Sequence, residues 1–405
     1  MNCKDCFFLC SLFSDLLFFC IASIVGYTFE GSESSPIYKI YMSAMGGLVI
    51  AFLIMDLLRR RIYTCSSFWC LLVALPMFVF ASFYWQTGRY VLDVGRMRQN
   101  LLYIFCFSYP ACCAGIYMAH AGLKRFVKYL DWVMLIMTVS FVYAIAASVM
   151  GTANVGGASY QVMAYMSGFV FCINICMILW GNHYERFSLF RGERWNLIAY
   201  GLLVIQLLAC LISGGRGGFV LLAVGAGYML YRSKKLGRIV ALSLFAFLLA
   251  LAVGSYLDTP LFEKLENSTA RTFNYLQSDT EDVMDVSGRS GIIFHTIQVI
   301  QEDHYMGRGL FRSLQEYYPH NFFLEVVEQG GVLYLLFWIV ILWVIVRKVH
   351  FLVENDHLYI LLPLAMYPAI YLMLSGSYTF NALFWFIISF VWTQSELSSK
   401  IHVAR

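Results

Sequence analysis

The residues with chemistry to offer stand together in one polar stretch, Ser287 to Gly331, which reads SGRSGIIFHTIQVIQEDHYMGRGLFRSLQEYYPHNFFLEVVEQGG. His320 follows Tyr317-Tyr318-Pro319 and precedes Asn321 at the mouth of an apolar run. An imidazole titrates near neutrality and can take the proton of an attacking hydroxyl. Proline disfavours helix for the residue before it, and Asn321 is a good N-cap for a helix starting at Phe322. Glu325 and Glu328 then fall within two turns of that start, where carboxylates complement the positive helix end, with Glu328 near the membrane edge.

Arg289 opens a second helical pattern, with apolar residues at 292, 293, 297 and 300 and Ser287 or Ser290 as its cap. A helix start offers unpaired N–H groups, and the planar guanidinium fork beside it suits phosphate. The alternative is an exposed arginine pairing with Asp282 or Asp285. Arg216 sits in a tight Ser213-Gly-Gly-Arg-Gly-Gly turn, where glycines open the backbone to a ligand. An arginine at bilayer depth costs ~2.5–3.5 kcal/mol, so an anionic partner is one reading and a side chain reaching the outer head groups the other. Arg308, between Gly307 and Gly309, is a further phosphate or sugar contact. Arg89, Arg96, Arg98 and Arg271 read as solvated loop charge, or else as part of an electropositive outer face suited to an anion.

What must position these groups is hydrocarbon-embedded scaffold. Of 405 residues 60% are hydrophobic and 13% charged, with a mean hydropathy of +0.69, against ~25% charged in a soluble domain. Apolar runs of ~18 or more residues recur, long enough to cross ~30 Å of lipid as helices, and too continuous for the alternating pattern of a barrel. The fold class is therefore all-α, a polytopic membrane protein with about 12 transmembrane helices and one large helical periplasmic loop. The spans are expected near 6–28, 37–58, 64–85, 100–119, 131–150, 161–182, 195–212, 217–231, 239–256, 321–346, 357–374 and 379–394.

Placing the N-terminus inside puts 18 of the 28 Lys and Arg in inner segments, so both termini are expected in the cytoplasm and the 257–320 loop outside. Most of the twelve cysteines lie in apolar runs and read as small buried hydrophobes. Cys3 and Cys6 form a lone CxxC, short of the four ligands of a structural zinc site.

Three stretches resemble the O-antigen ligase and O-antigen polymerase group of bacterial membrane glycosyltransferases. Ser-Gly-Gly-Arg216-Gly-Gly is similar to the group's Ser-Arg-Gly turn between mid-chain spans. Arg289, with the helix running to Gly307-Arg308-Gly309, resembles its periplasmic-loop segment. His320-Asn321-Phe-Phe-Leu-Glu-Val-Val-Glu328-Gln-Gly-Gly331 resembles its His-Asn opening of a span that ends in Glu-x-Gly. The likeness covers about 195–346; an extra glycine precedes Arg216, and His304-Tyr305-Met306 stands where a proline usually precedes Gly-x-Gly.

The resemblance implies N-terminal transmembrane helices over 1–194 and a ligase-like region over 195–405. It also implies transfer of a glycan from a polyprenyl diphosphate-linked donor to a glycan or lipid A-core acceptor, at the periplasmic face of a bacterial inner membrane. No metal or other cofactor and no nucleic acid enters. Arg216 and Arg289 would hold the diphosphate, His320 would act as base, and Arg308, Asn321 and Glu328 would contact substrate. A repeat-unit polymerase is the alternative within the group, and a flippase of lipid-linked sugars the alternative outside it.

Overall fold

The computed structural model describes residues 3–27, 35–59, 66–87, 94–149, 156, 159–234, 237, 289–313 and 319–403. The expected span at 239–256, the loop as far as residue 288, Arg89 and Arg271 lie outside them. The described residues are helical, with no strand among them. Among the described residues six helices are long and apolar enough to cross a membrane, or seven if one bent pair counts as a span. That marks a membrane protein.

In chain order the helices are α1 (Cys3–Leu12), α2 (Ser14–Ile24), α3 (Pro36–Leu58), α4 (Ser66–Trp69), α5 (Leu75–Thr87), α6 (Val94–Tyr103), α7 (Tyr109–Ala121), α8 (Lys124–Val127), α9 (Leu130–Val149), α10 (Tyr160–Trp180), α11 (Glu193–Ser213) and α12 (Arg216–Ser233). They continue with α13 (Arg289–Glu302), α14 (Leu310–Ser313), α15 (Phe322–Asn355), α16 (Leu361–Leu374) and α17 (Ala382–Val403). The helices form two compact units interleaved along the chain: 1–40, 124–277 and 357–370 in the first, and 41–123, 278–356 and 371–405 in the second.

The first unit is built around α10, which packs against α9, α11 and α12. Nearly every residue of α10 is buried, as expected of a helix that is apolar all round. It reaches α12 across glycines. A Cβ on Gly168 would meet the carbonyl oxygen of Gly218 at 2.5 Å, one on Gly225 would meet Cys172 Sγ at 2.7 Å, and one on Gly218 would run into the Ala164 backbone. Small residues that let backbones approach are the usual device where lipid supplies no hydrophobic drive between helices.

Several polar side chains inside this unit are tied to one another. Gln206 donates to Thr138 Oγ1 at 2.8 Å and accepts from the Asn174 amide at 3.2 Å. Arg186 grips the buried Asp131 with two bonds of 2.6 and 2.9 Å. The first apolar run, expected as one span over 6–28, is two helices meeting at 91° around Phe13. One side of the bend is fixed by the buried Asp5, which accepts from Arg125 at 2.6 Å, while α2 lies along α9.

The second unit packs α17 on α7, where a Cβ on Gly115 would meet the Phe386 carbonyl oxygen at 2.8 Å. Two five-residue π-helical turns interrupt its helices, Cys70–Ala74 between α4 and α5, and Ile104–Ser108 between α6 and α7. Their carbonyls accept from N–H groups five residues on, as Cys70 O does from Leu75 and Ile104 O from Tyr109, and Leu72 O also accepts from the Tyr109 hydroxyl at 2.9 Å. α15 runs for 34 residues, about 50 Å and so longer than a bilayer core. Leu333, Leu336, Phe337, Val340, Trp343 and Val346 are exposed along it. Of the cysteines expected to be buried, Cys70 is exposed on its π turn; Cys20, Cys106, Cys112, Cys113, Cys172, Cys176 and Cys210 are buried.

Replacing Gly218 by alanine should lower the stability of the protein in detergent by about 1–3 kcal/mol, because the new methyl meets backbone that cannot swing aside. Gly227, with nothing near its Cβ position, should tolerate alanine or gain up to ~1 kcal/mol. Thermal unfolding of both variants checks this, and equal midpoints would refute the glycine contact.

Candidate functional site

The site in the second unit begins with a fault in a helix. At Gly331 α15 leaves helical geometry, with φ 74° and ψ −172°. In an unbroken helix Val332 N–H would donate to the Glu328 carbonyl, and the break releases both groups. The chain between α13 and α14 takes them up. Glu328 O accepts from Arg308 N–H at 2.7 Å, Gln329 O accepts from Gly309 N–H at 2.8 Å, and Val332 N–H donates to Tyr305 O at 3.1 Å. The Gly-Arg-Gly and Gln-Gly-Gly motifs, some twenty residues apart in sequence, are thus one piece of hydrogen-bonded backbone.

Contact this close explains the glycines. A Cβ on Gly307 would meet Gly331 N at 2.6 Å, and one on Gly331 would strike the Tyr305 carbonyl. His304 and Tyr305 turn the chain off α13 with φ of 52° and 61°, a left-handed backbone that costs non-glycine residues about 1–2 kcal/mol each. On the far side Gln86, buried on α5, closes the clasp. Its Oε1 accepts from Phe311 N–H at 2.8 Å, and its amide lies where a side chain at Gly309 would go.

His320 is held where the chain enters α15. Its φ is 51°, and Nδ1 lies 3.0 Å from the Ser375 carbonyl oxygen. A carbonyl only accepts, so this bond puts the proton on Nδ1 and leaves the neutral ring's basic lone pair on Nε2. Asn321 caps the helix, its Oδ1 accepting from Phe323 N–H at 3.0 Å and Leu324 N–H at 3.2 Å. The expected N-cap is there, and that oxygen is spent on the helix end. Phe322 is locked in an aromatic cluster with Tyr378, Phe384 and Trp338, at ring separations of 5.5, 5.8 and 5.9 Å, which fixes the backbone that carries His320.

Below the histidine runs a buried polar chain. Glu325 Oε1 accepts from the Ser377 hydroxyl and from Gln329 Nε2 at 3.2 Å. The Tyr378 hydroxyl donates to Gln329 Oε1 and lies 3.2 Å from that of Tyr334. Next to it is a cavity of about 210 Å³. Gln86, Ser108, Gln329, Tyr334, Tyr378 and Thr379 give it polar groups, and Phe78, Val79, Phe105 and Trp385 an apolar wall. The second π turn contributes to its lining through Ile104, Phe105 and Ser108, and α5 through Leu75 at its start.

The remaining sequence candidates are placed as follows. Glu328 is buried beside the break. The Arg308 guanidinium pairs with Asp303 and reaches Glu302 at 3.8 Å, so carboxylates engage it. Arg289 is the first residue of α13, about 20 Å along the axis from Glu302 at the other end. The buried side of α13 runs through Thr296, Val299 and Ile300; Ile297, expected with them, is exposed. Arg216 belongs to the first unit as the half-buried first residue of α12. Its neighbours Gly215 and Gly218 are filled by Ala164 of α10, and Gly217 abuts the Tyr165 ring. The glycines read as opening this turn to a ligand are taken up by helix packing.

Gln86, Glu325, Ser375 and Tyr378 were not singled out from sequence, apart from Glu325 as a dipole partner. Of the other three only Gln86 offers a signal, as an amide near the end of an apolar run.

Fold and site together define an all-α membrane protein with a polar cluster assembled at a glycine break in one long helix. Set against known protein families, characterised proteins and solved structures, the chain matches none of them.

Gln86→Leu keeps the volume on α5 but strands the Phe311 N–H, at a cost of about 1–3 kcal/mol. Hydrogen exchange at residues 308–311 should speed about tenfold or more, with exchange in α9 and α10 unchanged. Unaltered protection at 308–311 would show that the glutamine does not hold this segment.

Proposed function

We propose that this chain is a membrane glycosyltransferase of the O-antigen ligase type, moving a glycan from a polyprenyl diphosphate carrier to an acceptor sugar. The observation that carries the reading is His320. It is a histidine in a left-handed backbone, its Nδ1 against a carbonyl, at the start of a long apolar helix. A lipid-linked substrate would present its head group at such a boundary, and strained non-glycine backbone concentrates where function needs a side chain held in place.

In this scheme the acceptor hydroxyl oxygen attacks the anomeric carbon, and its proton passes to His320 Nε2. The bond from the anomeric carbon to the diphosphate oxygen breaks, and the diphosphate leaves with the electron pair. Its charge falls to the arginines that the sequence singles out, Arg216 and Arg289, whose forks each bind two phosphate oxygens. Glu325, Gln329 and Tyr378 bond to one another and to Ser377, and the scheme gives them no contact with substrate. The twelve-span topology, with both termini cytoplasmic and the 257–320 loop periplasmic, belongs to the same reading.

His320→Asn tests it directly, since asparagine tolerates the left-handed backbone and can still donate to Ser375 O but offers no base. In proteoliposomes with a lipid-linked donor and a core-glycan acceptor, transfer should fall by ~10²-fold or more, with thermal stability retained. Undiminished transfer would remove the histidine from the chemistry. Donor that crosses the vesicle membrane unconsumed would point to a transporter. Arg216→Lys and Arg289→Lys keep charge but lose the fork, and each should raise the donor concentration needed for half-maximal rate about tenfold. Wild-type behaviour in either would remove that arginine from donor binding.

A further inference from the structure

Two imidazoles stand side by side at the end of α10 in the first unit. His183 lies on the turn after α10 and His357 on the turn leading into α16, with ring centroids 5.3 Å apart and planes tilted by 37°. The Tyr359 ring is 5.4 Å from His183 and 5.9 Å from His357, and it stacks on Trp180 at 4.5 Å with planes 8° apart. Both histidines are exposed. Partial desolvation, then the neighbouring His357 and Lys124 at the start of α8, hold the His183 imidazole below the usual histidine range, so it takes a proton most readily when an anion is present to offset them.

The arrangement is fixed from beneath. The buried Tyr184 donates its hydroxyl to His357 O at 3.2 Å and accepts from Ile360 N–H at 2.9 Å, tying the His357 turn to the end of α10. Arg186, gripped by Asp131, lies against Gly181, where a Cβ would meet its Nη1 at 2.9 Å. That seats the turn carrying His183. His357 has φ 54°, in the position past a helix end that glycine fills without strain. An imidazole is kept there against a conformational cost, which is the kind of outlier that marks functional positions.

Charge selects the ligand. Once protonated, the two rings and Lys124 bring three positive charges to this end of the unit; the buried Asp131 is already held by Arg186, and Glu185 and Asp356 are exposed to solvent that screens them. A metal ion would be short of donors, since no group of three or more His, Cys, Asp or Glu side chains gathers among the described residues, and Lys124 repels it. A phosphate finds N–H donors on both imidazolium rings and an ammonium beside them.

We propose that His183, His357 and Lys124 form a binding site for a phosphate-bearing ligand, seated on the Trp180–Tyr359 stack. The ligand is the head group of an anionic phospholipid or a free phosphorylated solute. The site is independent of the glycosyl-transfer reading, whose residues it does not share.

The test uses full-length protein with ¹⁵N-labelled histidine in phosphatidylcholine nanodiscs at pH 5, acid enough to charge an imidazole that its neighbours hold below the usual range. Inorganic phosphate should shift two of the eight histidine signals saturably, and chloride at matched ionic strength should not. Nanodiscs containing phosphatidate form the second arm. A shift there without added phosphate identifies a lipid head group, and a response to inorganic phosphate alone identifies a soluble ligand. His357→Gly, which suits the backbone, and His183→Gln should each weaken phosphate binding about tenfold or more, and Lys124→Gln by several-fold. No response in either arm, equal binding by both histidine variants, or a response to zinc chloride alone would overturn the proposal.

Discussion

A helix that breaks inside an apolar scaffold must find new partners for the backbone groups it releases, and the second unit is arranged around one such break. At Gly331 a carbonyl and an N–H lose their helical partners, and neither lipid nor packed side chains can replace them. The chain at 305–309 replaces them with its own backbone. That choice dictates much else. The inserted segment must approach backbone to backbone, so glycines stand at 307 and 331; it must turn off α13 sharply, so His304 and Tyr305 accept left-handed geometry. It must also be closed from the other side, which Gln86 does through Phe311.

The first unit solves the same problem without a break. α10 keeps its ladder intact and gains contact by removing side chains, through Gly168 facing Gly218 and Gly225 facing Cys172. Its polar side chains pair sideways, Asn174 with Gln206 and Gln206 with Thr138. One unit therefore uses glycine for proximity between continuous helices and the other for a discontinuity. Glycines near a polar turn do not announce which use they serve.

This is why the scaffold was legible in the sequence and the site only partly so. Apolar runs give the helices, because a long continuous run has one structural solution in lipid, and α3, α7, α9, α10 and α11 lie where such runs predict. The cap at Asn321 was legible too, since it depends on three consecutive residues. The 91° bend at Phe13 was not, because it is fixed by Asp5 meeting Arg125, 120 residues away. The same holds for Ser375 under His320 and Gln86 on Phe311, contacts between segments with no local signature. The Gly-Gly-Arg-Gly-Gly turn misled for a physical reason: an open backbone looks the same in sequence whether a ligand or a neighbouring helix fills it.

Two histidines bear on what local strain means here. His320 and His357 each hold a left-handed backbone that glycine would adopt freely, and each is fixed by a backbone carbonyl in a bond: His320 through its ring to Ser375 O, His357 through its own carbonyl to the Tyr184 hydroxyl. If the turns alone mattered, glycine would serve both positions and relieve about 1–2 kcal/mol at each. The imidazoles themselves differ in use. At His320 one ring nitrogen is engaged by a carbonyl, which in the neutral ring fixes the tautomer. At His357 the nearest polar neighbour of Nδ1 is the Tyr359 hydroxyl at 3.4 Å, and the ring faces a second imidazole, an arrangement that favours an anion drawn between two charged rings over a single proton acceptor.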